Sequence, residues 1–200
     1  MIKREKMIKI ENLNYKNLIK NLNFKADKWL FIITWPSWTG KTTLFKIISN
    51  IIPSENKIII PQKIWVFWQE NNLLPLDGET NINLPFYLKK FKKDKKWEKN
   101  LINYFWAENL INKNIDNLSS GEKEKIWLIK AFIHKPKLVL LDEAGNCLDE
   151  KNRNKLENFL INYSKENVIL WITHKEDIKN LLWKEIYNYN FKIYASKINI

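Results

Sequence analysis

Residues Leu30–Ser49 read LFIITWPSWTGKTTLFKIIS, and the order of these twenty letters decides the fold. Leu30–Thr34 is apolar and then β-branched, the composition of a short buried strand. A loop follows, and Thr42–Ser49 reads as a helix. Gly40-Lys41-Thr42 sits where loop becomes helix. Backbone N–H groups at a helix start can cradle phosphates, a lysine there can reach the β- and γ-phosphates, and the threonine hydroxyl can bind Mg²⁺. The phosphate-loop motif asks for glycine five residues before Gly40, and Trp35 stands there. The tripeptide alone is weak; its strand–loop–helix context strengthens it.

Outward from this stretch, strands and helices alternate. Ile8–Leu13 and Leu18–Phe24 read as strands, as do Lys57–Ile60 and Ile64–Phe67. From about Pro75 to Asn117 the pattern turns polar, helical and Lys-rich, which suggests an inserted helical subdomain at about 75–117. A helix over Ser120–His134 leads to the apolar strand Leu138–Leu141. A helix near Glu150–Ser164 precedes the strand Val168–Ile172. Strands alternating with helices predict an α/β fold with a mostly parallel sheet covered on both faces.

Three further segments carry chemistry. The strand Leu138–Leu141 ends in Asp142-Glu143, where α/β sheets bind ligands. Asp142 could hold Mg²⁺ and Glu143 could orient water, or the pair could be an acidic turn after a buried strand. Leu118-Ser119-Ser120-Gly121-Glu122 reads either as a functional loop or as a helix N-cap with an acid in the first turn. Thr173-His174 follows the strand Val168–Ile172, at the sheet edge that carries the other groups.

Composition bounds the classes. Leu, Ile, Val and Phe make 65 of 200 residues, too many for intrinsic disorder. No apolar run is long enough for a membrane span, and the N-terminus shows no apolar leader. Cys147 is the single cysteine, so no intrachain disulfide framework exists. These features suggest a cytoplasmic chain. The net charge is +12, but Lys, Ile and Asn make 88 of 200 residues, as an A/T-rich gene would give. The run Lys89–Lys99, KKFKKDKKWEK, lacks the Arg of a nucleic-acid groove and carries two acids and only two aromatics, Phe91 and Trp97. It reads as a solvated helix face or as a patch facing a membrane or protein partner, and no nucleic acid is expected.

Taken in order, the motifs resemble those of the ATP-binding cassette (ABC) ATPases over nearly the whole chain. The resemblance implies a single cassette over residues 1–200: a P-loop core, N-terminal antiparallel strands and a small inserted helical subdomain. It implies that Tyr15 stacks on adenine. It makes Trp35, Pro36, Ser37, Trp38, Thr39, Gly40, Lys41, Thr42 and Thr43 the phosphate loop and the helix start that follows it. Gln69 matches the Q-loop glutamine that senses Mg²⁺ and the membrane partner. Ser119 and Gly121 match the signature motif, which contacts the γ-phosphate held by an opposite subunit. Thr42, Gln69 and Asp142 would serve Mg²⁺. Lys41, Glu143 and His174 would carry catalysis, and Asp149 matches the D-loop.

The family resemblance further implies ATP and Mg²⁺ as cofactors, a second cassette as partner, and a separate integral membrane permease. The chain would then lie on the inner face of the cell membrane. The stretch Asn71–Lys90 looks like the lipoprotein-releasing, macrolide-export and cell-division branch. A soluble cassette ATPase, or a non-hydrolysing degenerate one, is the alternative.

Ten Trp and four Gly invert the usual ratio. Trp35 and Trp38 fall where the family's loop has glycine, and Trp29 falls where glycine commonly precedes this strand. Trp65, Trp68, Trp106, Trp127 and Trp171 also sit where glycine reads naturally. Lys41, Asp142, Glu143 and His174 are intact, unlike a decaying gene. The pattern fits a gene whose UGA codons specify glycine and have been read as tryptophan.

Overall fold

The computed structural model describes residues 7–34, 40–61, 63–67, 73–89, 91–173, 182–188 and 192–197. Trp35, Pro36, Ser37, Trp38, Thr39, Gln69 and His174 therefore lie outside the described residues.

The strands are β1 (Ile8–Tyr15), β2 (Ile19–Ala26), β3 (Trp29–Thr34), β4 (Ile58–Ile59), β5 (Ile64–Phe67), β6 (Leu138–Asp142), β7 (Val168–Ile172), β8 (Leu182–Asn188) and β9 (Lys192–Lys197). The helices are α1 (Lys41–Ile48), α2 (Gly78–Lys89), α3 (Lys95–Tyr104), α4 (Ser120–Phe132) and α5 (Glu150–Ser164), with one 3₁₀ turn at Ile115–Asn117. Two sheets result, a three-stranded β2-β1-β4 and a six-stranded β5-β6-β7-β3-β9-β8. β1 pairs antiparallel with β2 and with β4. β7 runs parallel to both β3 and β6, while β9 pairs antiparallel with β3 and β8.

Sequence dictates this order directly. LVLLD in β6 and VILWI in β7 are buried at every position, as strands covered on both faces must be. Each such Leu or Ile stabilises the fold by roughly 1.5–3 kcal/mol. In β2, burial falls on Ile19, Leu22, Phe24 and Ala26, with the residues between them exposed. Phe24 meets Phe31 of β3 edge to face at 4.9 Å, tying the small sheet to the large one. The C-terminal pair β8–β9 was not expected from the sequence. LWKEIYN mixes apolar and charged residues without a turn signal that marks a hairpin.

The described chain forms two compact units. The first comprises Met1–Val66, Lys137–Glu143 and Leu160–Ile200, and so holds both sheets and α1. The second comprises Phe67–Pro136 and Ala144–Phe159. It contains α2 and α3, which arise from the Lys-rich stretch, together with α4 and most of α5. Its core is aromatic: Phe159 packs on Phe132 (4.8 Å), Phe105 (5.3 Å) and Tyr104 (5.5 Å). The Trp97 indole N–H donates to the Phe132 carbonyl at 2.9 Å. Tyr104 and Lys155 clamp α3 to α5 reciprocally, the phenol donating to the Lys155 carbonyl (3.0 Å) and the ammonium to the Tyr104 carbonyl (2.7 Å).

Candidate functional site

The sheet-bearing unit supplies the first group of residues. Gly40 caps α1 with φ +94°, a left-handed conformation that glycine adopts without strain. It makes no side-chain cap, so the helix meets the loop with bare backbone. A helix start of this kind favours an anion, because the first-turn amides have no partner within the helix and the dipole is positive there. Lys41 and Thr42 open α1, and Thr43 follows half-buried.

Lys41 is only 8 % exposed. Burial lowers its pKa, and the carboxylates of Glu143 and Asp142 pull the other way. The Thr42 hydroxyl donates to Asp142 Oδ2 at 3.1 Å, joining residues 100 apart in sequence. Asp142 is 5 % exposed at the end of β6. Burial raises its pKa first; the Thr42 hydrogen bond and Lys41 oppose the rise, and Glu143 adds to it.

Glu143 leaves the sheet at once. Its N–H donates to the Ile172 carbonyl at 2.9 Å, and its φ of +56° lies in the left-handed region that glutamate rarely adopts. Strain of this sort is stored where surrounding structure over-determines it. The Thr173 N–H donates to the Ile33 carbonyl at 3.3 Å, which brings the end of β7 beside β3. Tyr15 ends β1 half-buried, with the Lys16 ammonium 5.4 Å over its ring.

The donor set fits a nucleotide with its metal. A cation lies at a bare helix start, and a hydroxyl and a carboxylate already touch beside it. Mg²⁺ is usually held by one or two protein oxygens together with substrate phosphates.

The second unit supplies the other group. Ser119 caps α4: its hydroxyl accepts the Glu122 N–H at 3.3 Å, and Glu122 Oε2 accepts the Ser119 N–H at 2.9 Å. That Ser119 N–H, with the Ser119 hydroxyl, lowers the Glu122 pKa. This is a complete capping box, so the bland reading of the segment is also true of it. Asp149 plays the same part before α5. Its carboxylate accepts the Asn152 N–H at 2.8 Å and the Asn152 side-chain amide at 2.7 Å, and both lower its pKa.

Gly121 lies so close to the turn before Asp149 that a β-carbon would sit 2.9 Å from the Cys147 carbonyl oxygen. One residue near this turn escaped the sequence reading. Glu124 is 4 % exposed, and its carboxylate accepts the Gly145 N–H at 2.6 Å and the Cys147 N–H at 2.9 Å. The signal was present. Glu124 shares a helix face with Trp127, Leu128 and Ala131, all buried, while its neighbours Lys123 and Lys125 disguise it as surface.

A strand feeding a glycine-started helix, with a parallel strand two places along the same sheet that ends at Asp142, defines a P-loop nucleotide-binding fold. The family model for the ABC transporter matches residues 19–146. The probable iron export ATP-binding protein FetA of Escherichia coli (strain K12) is 28% identical over 193 residues, covering 86% of each chain. The zinc import ATP-binding protein ZnuC of Wigglesworthia glossinidia brevipalpis is 33% identical over 171 residues, covering 78% of this chain and 70% of its own. Among solved structures, CbiO1 from Clostridium perfringens, part of the ABC transporter complex CbiONQ, superposes with a TM-score of 0.71. It is 24% identical, and the match covers 86% of this chain and 80% of that one, a likeness of fold. The chain belongs to the ABC transporter family and is an ATP-binding cassette ATPase of it.

Proposed function

We propose that the chain hydrolyses Mg·ATP as one of a pair of cassettes that work a separate membrane permease. The contact between Thr42 and Asp142 carries this reading. It places a hydroxyl and a carboxylate side by side at the start of a helix that favours anions. In this reading Lys41, Gly40 and the first-turn amides, with Thr43, hold the phosphates, and Tyr15 stacks on the base. Trp35 to Thr39 complete the loop. Thr42 and Asp142, with Gln69, hold Mg²⁺, which when bound neutralises charge on the β- and γ-phosphates. Glu143 orients water in line with the γ-phosphate, and His174 contacts that phosphate. Positioning and charge stabilisation supply most of the rate.

Ser119 and Gly121 of one copy face the nucleotide of the other, with Asp149 at the junction. Head-to-tail pairing thus gives two composite sites. The permease docks near Gln69 and the helical subdomain at about 75–117, and this docking holds the cassette to the inner face of the membrane. Exposed apolar side chains at both ends of α2 support this, with Leu74 and Leu76 before it and Tyr87 and Leu88 near its end. No helix among the described residues is long and apolar enough to cross a membrane. The likeness of the Asn71–Lys90 stretch supports membership of the lipoprotein-releasing, macrolide-export and cell-division branch. ATP turnover of the Glu143→Gln chain tests the catalytic assignment, and undiminished turnover overturns it.

We infer further that the anomalous tryptophans stand for UGA-encoded glycine. Two of those singled out, Trp29 (φ +94°) and Trp106 (φ +52°), hold left-handed backbone that suits glycine and strains an indole. The coding DNA decides the matter: UGG at Trp35 and Trp38 ends the idea.

A further inference from the structure

We infer that Glu124 is a positioning residue that locks the Ala144–Leu148 turn to the signature helix. The inference rests on the reading of Glu143 and Asp149 given above, because this turn begins directly after the one and ends directly before the other. Three contacts converge on it. The two Glu124 oxygens take one amide each, from Gly145 and from Cys147. From the same helix, Gly121 admits the Cys147 carbonyl to the space a β-carbon would fill. Within the turn, the Leu148 N–H donates to the Gly145 carbonyl at 3.2 Å, and Gly145 itself holds φ +98°.

A buried carboxylate costs more than a buried apolar side chain unless its oxygens are satisfied. Here both oxygens are satisfied by backbone. Among the described residues, the Arg153 guanidinium on α5 supplies an opposing charge. A residue kept only to fill space would be Leu or Met. What a carboxylate alone offers is two acceptors in one plane, and the turn presents two donors. Glutamine offers one acceptor and would turn an N–H₂ toward the second amide. The geometry therefore separates a lock from a space-filler.

The test is hydrogen exchange of the full, ligand-free chain, read at Gly145 and Cys147 with Ile126–Ile129 of α4 as internal control. Glu124→Ala should speed both turn amides by about tenfold to a hundredfold, the loss expected for a buried bond to a charged group. Glu124→Gln should speed one and spare the other. The control amides should not move. Unchanged exchange at both turn amides in Glu124→Ala overturns the lock, and so does an equal rise at Ile126–Ile129, which marks general loosening. In turnover, Glu124→Ala should lower kcat about tenfold with KM for ATP unchanged, and a risen KM with kcat intact also overturns it. Glu143→Gln is the separate control. Normal turnover there overturns the catalytic reading alone, and the exchange pattern still decides the lock.

Discussion

The Thr42 hydroxyl donates to Asp142 Oδ2 across 3.1 Å, so the first turn of α1 and the end of β6 are joined by a side-chain bond. Asp142 is nevertheless held in an environment that disfavours its charge, burial being the largest cause. The two facts give opposite expectations for stability and for binding. Asp142→Asn should raise the melting temperature of the ligand-free chain by roughly 2–4 °C, the shift that about 1 kcal/mol gives at this size. The same change should weaken Mg-dependent ATP binding at least about tenfold, since an amide is a poor ligand for a hard cation. Calorimetry with and without Mg²⁺, beside thermal denaturation, checks both. A lower melting temperature would show that the buried charge is not a cost.

Glu143 should be separable from binding. Glu143→Gln keeps size and backbone but removes the carboxylate, so ATP should bind while turnover falls by about 10²–10⁴-fold, the usual contribution of a positioned base. Gel filtration with Mg·ATP should then show a persistent dimer. Glu143→Gly gives a different result. It should lose turnover equally yet gain stability, because φ +56° suits glycine.

The left-handed tryptophans should behave unlike the buried ones. Trp29 holds φ +94° and is half-buried, so Trp29→Gly should stabilise the chain by about 1 kcal/mol through relief of strain. Trp171 is fully buried in β7, and Trp171→Gly should cost about 3–5 kcal/mol for the void it leaves, a loss that would count against glycine at that position. Thermal denaturation of the two single variants reads both signs. A destabilised Trp29→Gly chain would remove the conformational argument for glycine there.

Glu124 should leave a mark on the pH dependence of stability. Burial holds its carboxyl above the ordinary glutamate value, against the Gly145 and Cys147 amides and Arg153. The folded chain therefore keeps this proton to higher pH than the unfolded chain does. Stability from the group is full below the unfolded pKa and is lost as pH rises through the folded one. Glu124→Gln cannot titrate. The melting temperature of the native chain, taken relative to Glu124→Gln, should fall as pH rises above the ordinary glutamate range. A gap that widens over that range would reverse the sign.

Much of this molecule was legible before its structure. β6 and β7 announce themselves as unbroken apolar runs, and Gly40-Lys41-Thr42 lies at the strand-to-helix passage where expected. Asp142 and Thr42 meet because β6 ends where α1 starts, at one edge of the large sheet. The rest depended on tertiary context. β8 pairs with β9 and β9 with β3, and that tertiary pairing leaves little periodicity in LWKEIYN. Glu124 sits between two lysines, so its local pattern is that of a solvated face. Only the turn brought against it by the chain beyond β6 makes it a buried acceptor. Ser119 and Asp149 show the converse limit. As helix caps they fulfil an ordinary local role, and local patterning cannot separate that role from a second one.

The pinned turn also carries the chain's single thiol. Cys147 is exposed while its own amide is held by Glu124 and its carbonyl lies against Gly121. Its side chain thus projects into solvent from fixed backbone, between Glu143 and Asp149. A spin label or fluorophore attached there needs no engineered cysteine and no removal of competing ones. In a paired assembly each copy would carry one such tag, and the separation of the two would report opening and closing in real time.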